Sequence, residues 1–263
     1  MAGTQSAGEE NFQSFLRFCE GNPGILGLIL VGSRGKGWDS AVASSSDFDC
    51  HVITSDEAVE EITQFFESRQ HSPEMAAIDV SVRSLSQFQE YAVWGSLDSW
   101  DRYDFLHCQL LIDKSDGVLR KLIAEKGTLP AHEQHSFICS RLRAYVNAVY
   151  HSVKCFMKGN VVGARLEAAN SIFPLLDVLF ALHSRPVPFL SFLEKELSTY
   201  PLEKLPWVPA DFLARLLRIL STADLATQQT TLGAVETLFR REGYADLLAE
   251  FKGRSDGRSI TGP

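Results

Sequence analysis

Two aspartates, two residues apart, are the first candidates for chemistry in this chain. Asp47 and Asp49 flank Phe48, and the apolar residues that follow predict a strand. On a strand, residues i and i+2 point to the same face, so the two carboxylates would lie side by side. Adjacent carboxylates repel each other unless a cation neutralises them. Mg²⁺ binds carboxylate and phosphate oxygens, so the pair predicts a magnesium site.

A third aspartate, Asp79, interrupts the short apolar run Ala76–Val82. A charged side chain within such a run is costly unless it is paired or bound to a metal. Asp79 is therefore expected to be paired with another group or bound to a metal ion.

Gly32 and Ser33 follow another apolar run and predict a turn at the end of a strand. Glycine permits close approach of the backbone, and a turn with free N–H groups and a hydroxyl suits a phosphate. The segment Arg34–Ser46 is rich in small residues and is predicted to be a loop. Two interpretations stay open: the loop closes over a triphosphate, with Arg34 or Lys36 as candidate phosphate contacts, or it is a mobile basic loop with no such role.

The elements that must position these residues are predicted from hydrophobic periodicity. Strands are predicted over residues 25–31, 47–54, 76–82 and 106–112, and helices over 11–20, 55–69 and 117–125. From residue 133 onward the apolar spacing is helical, which predicts helices over 133–158, 162–183, 211–220 and 225–241. The predicted fold class is therefore α+β, with a small sheet and flanking helices followed by an all-helical bundle.

The character of the sequence changes near Pro130, which suggests two domains. We predict a sheet-containing domain at residues 11–128 and a helical domain at 129–252. The remaining residues, 1–10 and 253–263, are small or polar and are predicted to be disordered tails.

Composition narrows the classes of function. The net charge of −8 argues against nonspecific binding to nucleic acid. The five cysteines form no C-x-x-C pair, which favours reduced thiols in a cytoplasmic protein over zinc sites or disulfides. The N-terminus resembles no signal peptide, and the longest apolar run is too short to span a membrane, so no membrane association is expected.

The segment 87–105 combines six aromatic side chains with three aspartates, Asp98, Asp101 and Asp104. Acidic groups among aromatic faces would suit a cationic small molecule. The helical spacing of Phe88 and Tyr91 is more typical of a protein core. Both interpretations stay open at the level of the sequence.

Taken together, Val31-Gly32-Ser33 and Asp47-Phe48-Asp49-Cys50 resemble the motif of the nucleotidyltransferase superfamily typified by DNA polymerase β. That motif is an apolar strand, Gly-Ser, a loop, and then alternating acidic and apolar residues on the next strand. The family has a third carboxylate on a later strand of the same sheet, a position that Asp79 fits. The resemblance therefore implies that Asp79 joins Asp47 and Asp49 at one edge of the sheet, where it would either hold a metal ion or accept a proton from the substrate. The resemblance implies a mixed sheet, Mg²⁺ as the cofactor, and ATP or another NTP as a substrate of a transferase.

The layout of the whole chain is similar to antibiotic nucleotidyltransferases of the kanamycin and lincosamide type, although the motif covers only residues 31–50 and 76–82. This resemblance implies transfer of a nucleoside monophosphate to a hydroxyl of a small molecule. The acceptor would be an aminoglycoside or a lincosamide, and the role would be antibiotic resistance. Because the related enzymes are often dimers, the resemblance also suggests a homodimer.

In such enzymes, the first long helix of the helical domain supplies a lysine to the triphosphate, and often a carboxylate base. Lys154 is the best match for the lysine. The turn before it carries Tyr150 and His151 and no acidic residue, so the base stays open among Asp79, Glu167 and His151. The residues predicted to bind the nucleotide are Gly32, Ser33, Arg34 and Lys154.

Two alternative functions remain at this level. The missing helix carboxylate would fit a nucleotide-binding regulatory protein that has the same fold and little turnover. Template-free nucleotide addition to RNA is the other alternative, but it would need a continuous basic track, which this acidic chain lacks.

Overall fold

The computed structural model describes residues 2–38 and 46–252. The chain divides into two compact units between Leu129 and Pro130. The described residues of the first unit form a mixed sheet with helices, whereas those of the second form only helices and their connections. The predicted α+β class, a small mixed sheet followed by a helical bundle, is therefore confirmed.

The first unit is built on a four-stranded sheet. Its strands are β1 Ile25–Leu30, β2 Phe48–Thr54, β3 Ile78–Ser84 and β4 Gln109–Asp113. They lie side by side in the order β3-β2-β1-β4. Strand β1 is antiparallel to both β2 and β4, whereas β2 and β3 are parallel. β4 begins three residues later than predicted, because the chain is still helical up to Leu106.

Helices cover both faces of this sheet. They are α1 Ala2–Gly21, α2 Gly32–Gly35, α3 Val59–Glu67, α4 Leu85–Glu90, α5 Arg102–Leu106 and α6 Val118–Lys126. One core contains Phe15 of α1 and Phe66 of α3, packed with the side chains of Cys50 and Val52. The opposite core contains Ile53 with aromatic and aliphatic residues of α4, α5 and α6. Alternate residues of β2 thus enter opposite cores, as the period of a strand requires.

The prediction of a disordered tail at residues 1–10 is wrong, because α1 already begins at Ala2. Contacts with residues that are distant in sequence hold this end of the helix. Glu9 forms an ion pair with Arg34 at 2.8 Å. A Cβ at Gly8 would lie 3.8 Å from that of Ala77. Local sequence patterns do not show such contacts. The other predicted tail, 253–263, lies outside the described residues.

The second unit contains the helices that the sequence predicts, but one of them is divided into two. Its helices are α7 Ala131–Met157, α8 Val161–Asn170, α9 Ile172–Ala181, α10 Leu193–Thr199, α11 Pro209–Thr222, α12 Leu225–Arg241 and α13 Ala245–Lys252. The helix predicted over 162–183 is divided at Ser171, because Pro174 has no N–H to donate to the carbonyl of Asn170. No helix within the described part of the chain is both long enough and apolar enough to cross a membrane.

Candidate active site

Two of the predicted aspartates face each other where the parallel strands begin. Asp49 is the second residue of β2, and its partner across the strand pair is Asp79, the second residue of β3. Side chains of directly paired residues lie on the same face of a sheet. Asp47 comes immediately before β2, two residues from Asp49. The structure thus brings the predicted carboxylates to one edge of the sheet.

Electrostatic interactions link the three aspartates. The pKa of Asp49 is raised above its ordinary value, first by partial burial and then by the negative charges of Asp79 and Asp47. Like charges raise a carboxyl pKa because each disfavours ionisation of the other, and a bound cation relieves this repulsion. Asp47 and Asp79 are exposed to solvent, so a ligand can reach them.

The turn after β1 packs directly on the Asp49 side chain. Gly32 has a φ of +63°, in the left-handed region that favours glycine. A Cβ at this position would lie 2.0 Å from Oδ2 of Asp49, so any other residue would collide with the carboxylate. The N–H of Val31 donates to the carbonyl of Asp49 at 2.8 Å. The predicted Gly-Ser turn therefore lies at the carboxylates.

The first part of the predicted loop is a single helical turn, α2, in which Ser33 is buried. The side-chain amide of Gln109 on β4 donates to the carbonyls of Arg34 and Gly35 at 3.1 and 3.2 Å. A Cβ at Gly35 would lie 2.2 Å from the carbonyl oxygen of Leu30, so this turn also requires a glycine at its end. Residues 39–45 of the predicted loop lie outside the described residues.

Arg34 holds the segment that leads into β2. Its Nε donates to the carbonyl of Ser46 at 2.6 Å, and its Nη1 donates to Glu9 at 2.8 Å. The guanidinium also lies 3.8 Å from the ring centroid of Phe48. Arg34 thus contacts the residue on each side of Asp47. Phosphate binding by Arg34 stays a prediction, whereas its structural contacts point to a positioning role.

Lys36, which is buried, pairs with Asp104, which is partly buried, and no local sequence pattern reveals this pair. The Lys36 side chain is fully buried, its Nζ lies 3.5 Å from Oδ1 of Asp104, and it lies 4.4 Å from the ring centroid of Tyr103. Burial raises the pKa of Asp104 to about 6, and the positive charge of Lys36 opposes this rise. In this position the Lys36 ammonium is not accessible to a phosphate. The structure therefore does not fit the prediction of Lys36 as a phosphate contact.

Beyond Asp49, the same face of the sheet carries a second polar pair. His51 lies two residues further along β2, and its Nδ1 accepts a hydrogen bond from Nη1 of Arg83 on β3 at 2.9 Å. Burial, together with the charge of Arg83, lowers the pKa of His51 to about 3, so the imidazole is neutral. The guanidinium also stacks 3.6 Å from the ring centroid of Tyr91. Neither residue has a local sequence signal that reveals this pairing.

The aspartates of segment 87–105 each have a partner within the protein. Asp98 accepts a hydrogen bond from the N–H of Ala92 at 3.4 Å, Asp101 accepts one from the hydroxyl of Tyr91, and Asp104 pairs with Lys36. Several of the aromatic side chains, including Phe88, Tyr103 and Phe105, are buried. This arrangement favours the core interpretation of the segment over a pocket for a cationic ligand.

The carboxylates suit the way in which proteins bind Mg²⁺. Among the described residues, no three or more His, Cys, Asp or Glu side chains form a ready-made metal site. Mg²⁺ does not require one, because it keeps several waters and binds one or two carboxylates together with the phosphates of a substrate. Asp49 and Asp79, with Asp47 close by, supply the hard oxygen ligands for this mode. The set contains no nitrogen or sulfur ligand of the kind that zinc prefers.

The remaining predicted site residues belong to the second unit. Lys154 and His151 are exposed on α7, and the Lys154 Nζ lies 5.7 Å from the ring centroid of Tyr150. Glu167 is partly buried on α8. Their roles in nucleotide binding or proton transfer stay predictions.

No protein-family model matches the chain, and no curated protein matches it. Among solved structures, it is similar to a nucleotidyltransferase-like protein from Exiguobacterium sibiricum 255-15. The two have 12% sequence identity and a TM-score of 0.41, with 96% of this chain and 81% of that chain covered. A TM-score this low carries no argument about activity, so the arrangement of the carboxylates is the basis for a functional proposal.

Proposed function

We propose that this protein is a Mg²⁺-dependent nucleotidyltransferase that transfers a nucleoside monophosphate from ATP or another NTP to a hydroxyl of a small molecule. The observation that carries the proposal is the pairing of Asp49 with Asp79 beside the Gly32 turn. This arrangement places acidic oxygens next to a backbone turn that can accommodate phosphate. A cation site and an anion site in contact are what a metal-bound triphosphate requires.

Asp47, Asp49 and Asp79 would hold the divalent ion. When bound, Mg²⁺ supplies charge stabilisation for the α-phosphate and for the departing pyrophosphate. The protein contributes mainly position and electrostatics, which dominate catalysis of phosphoryl transfer. The Gly32 turn keeps Asp49 in place, since its backbone leaves room for that carboxylate and for no side chain of its own.

The proposed triphosphate contacts are the backbone at Gly32, the Ser33 hydroxyl and the side chains of Arg34 and Lys154. Ser33 is buried and Arg34 is committed to Glu9 and Ser46, so the backbone of the turn is the best-supported contact. Lys154 is exposed and has the chemistry for the role.

For the base that accepts the proton of the attacking hydroxyl, Asp79 is the candidate within the first unit. It is exposed and lies directly opposite Asp49. Glu167 and His151 are the other candidates. His51 is excluded from this role, because its Nδ1 already accepts a hydrogen bond from Arg83 and the ring is buried.

We extend the proposal to aminoglycosides and lincosamides as the first acceptors to test, with antibiotic resistance as the corresponding role. A homodimer in solution is part of the same proposal. Both rest on the resemblance in layout and motif described from the sequence.

The test is pyrophosphate release from each of the four NTPs in the presence of Mg²⁺ and a panel of these acceptors. We expect release that depends on both Mg²⁺ and an acceptor. Asp49→Asn should lower the rate by at least about 100-fold, since it removes a charge at constant volume. Asp116→Asn is the matched control, because Asp116 is exposed and has a φ of +53°, which asparagine tolerates.

The alternative functions give different results in the same assay. Nucleotide binding without pyrophosphate release under any acceptor would favour the regulatory protein. Release that requires RNA would favour nucleotide addition to RNA. Absence of both nucleotide binding and release would contradict the proposal.

A further inference from the structure

Arg83 carries a positive charge on the same face of the sheet as the carboxylates. Asp79, Ser81 and Arg83 alternate along β3, so their side chains lie on one face. Asp49 of β2, the register partner of Asp79, lies on that face as well. Asp79 and Ser81 are exposed and Arg83 is partly exposed. On β3, this face is therefore accessible to a ligand from the carboxylates to Arg83.

The Arg83 side chain reaches back along the sheet towards the carboxylates. Its Nη1 donates to Nδ1 of His51 at 2.9 Å, although the register partner of His51 on β3 is Ser81. His51 and Asp49 are two residues apart on β2, which corresponds to about 7 Å along a strand. The guanidinium therefore lies about one strand repeat from the Asp49–Asp79 pair, a distance that one small molecule can span.

Two neutral groups fix the orientation of this guanidinium. It stacks 3.6 Å from the ring centroid of Tyr91, whose hydroxyl donates to Asp101. The Nδ1 of His51 must be unprotonated, because arginine has only donors to offer it. An arginine held in this way has already lost conformational freedom, so the entropic cost of binding a ligand is smaller.

The charge of Arg83 is available to a ligand. Within residues 2–38 and 46–252, Arg83 contacts no carboxylate at ion-pair distance, and Asp98 interacts with its charge only at longer range. A guanidinium has five N–H donors, of which the contact with His51 uses one. Its planar arrangement of donors binds carboxylate and phosphate groups in a bidentate manner. Arg83 is therefore a pre-oriented group for binding an oxyanion.

The position of Arg83 relative to the Gly32 turn indicates which ligand carries that oxyanion. Strand β2 lies between β1, which leads into the Gly32 turn, and β3, which carries Asp79 and Arg83. The proposed triphosphate site is the turn, on the β1 side. The candidate base Asp79 is on the β3 side, where the attacking hydroxyl must approach it. Arg83 thus lies on the side of the acceptor.

We propose that Arg83 binds an oxyanion of the acceptor, a carboxylate or phosphate group on the same small molecule as the attacking hydroxyl. This narrows the acceptor beyond the antibiotics named above, because the positively charged aminoglycosides carry no such group. The assignment to the acceptor rests on the proposed function, whereas oxyanion binding by the protein without metal or nucleotide does not.

The first test is an NMR titration of the full-length chain in EDTA, without nucleotide. The probes are glycerol phosphate, glycerate and glycerol, which share a carbon skeleton and carry a phosphate, a carboxylate or neither. The side-chain N–H signals of Arg83, identified by their loss in R83M, should shift with at least one anion and not with glycerol. R83M should weaken binding of that anion by at least about 10-fold, because the charged hydrogen bonds are lost.

Arg69 offers a matched control, since its guanidinium stacks 3.9 Å from the ring centroid of Phe65 in the same unit. R69M should leave the affinity for the anion unchanged. Should R83M fail to fold, R83K replaces it, because lysine keeps a donor for His51 but lacks the paired donors of arginine. Arg83 signals that do not respond to either anion, or equal losses of affinity in the Arg83 and Arg69 variants, would overturn the proposal.

The second test separates the acceptor from the nucleotide. Binding of a nonhydrolysable ATP analogue in Mn²⁺ should be as tight in R83M as in the wild type. Weaker binding of the analogue would assign the oxyanion to the triphosphate and overturn the acceptor role. Failure of the wild type to bind the analogue would overturn the acceptor role together with the proposed function, whereas the metal-free titration decides oxyanion binding by itself.

Discussion

Gly32 and Asp49 are in such close contact that a single added carbon at Gly32 would lie 2.0 Å from the carboxylate oxygen. Sixteen residues separate the two in the sequence, yet the turn that carries the first determines where the second can lie. The backbone at Gly32 and the carboxylate at Asp49 are therefore one structural feature. This relationship makes the Gly-Ser turn part of the metal and phosphate chemistry that we propose.

Replacement of Gly32 should separate backbone strain from the contact with Asp49. Gly32→Ala adds a side chain at φ +63°, a strain of about 1 kcal/mol, and also displaces Asp49. Gly37→Ala is the matched control, since Gly37 has a φ of +64° and no atom of the described residues lies within 4 Å of the added carbon. We expect backbone strain to lower the free energy of unfolding by a similar amount in both variants. Only Gly32→Ala should lose Mn²⁺ binding. Equal Mn²⁺ affinity in the two variants would contradict the account of this turn.

The neutral, buried His51 should make stability depend on pH. Its pKa in the folded protein is about 3, below the ordinary value of 6.5, so the unfolded state binds more protons between these values. The contribution of neutral His51 to the free energy of unfolding is therefore fully present above about pH 6.5. It falls as the pH decreases towards 3, by up to about 1.4 kcal/mol per pH unit.

Urea unfolding between pH 4 and 8 tests this dependence. His51→Gln keeps an acceptor for Arg83 but has no titrating ring, so its stability should fall less steeply below pH 6.5 than that of the wild type. The difference between the two curves isolates His51 from the carboxylates. Curves that stay parallel over this range would show that His51 is not held neutral.

Arg34 should keep the residues before β2 in a single, ordered conformation. Arg34→Ala removes the hydrogen bond to Ser46, the ion pair with Glu9 and the contact with Phe48. We expect faster amide hydrogen exchange at residues 46–48 and weaker Mn²⁺ binding, with a stability loss of about 1 kcal/mol from the lost cation–π contact.

The residues just after α3 offer a matched control for Arg34. Arg69 stacks on Phe65 with its guanidinium 3.9 Å from the ring centroid, but it does not contact the carboxylate segment. Arg69→Ala should cost similar stability while leaving exchange at residues 46–48 unchanged. Protection at those residues that is the same in both variants would show that Arg34 does not position Asp47.

The central part of the site could be predicted because its signals are local. The alternation of Asp47, Phe48, Asp49 and Cys50 fixes which side chains share a face, and the apolar flanks show that the strand is buried. Asp79 interrupts an apolar run in the same way. The pairing of Asp49 with Asp79 follows once the two strands are neighbours.

The surrounding contacts could not be predicted because they join residues that are distant in sequence. The Lys36–Asp104 and His51–Arg83 pairs connect different elements, and no local pattern marks either. The ion pair between Glu9 of α1 and Arg34 likewise joins residues that are distant in sequence. The break between α8 and α9 is different, because the sequence alone explains it: Pro174 lacks the N–H that a continuous helix would need there.

The most direct test of the account is a crystal structure of the protein soaked with a nonhydrolysable ATP analogue and Mn²⁺, with the ion located by its anomalous signal. We predict an ion within about 2.2 Å of carboxylate oxygens of Asp49 and Asp79, and phosphate oxygens beside the Gly32 turn. Asp49→Asn crystals treated in the same way should lose the ion. A nucleotide bound elsewhere, or an ion that leaves Asp49 and Asp79 without contact, would contradict the proposed carboxylate centre.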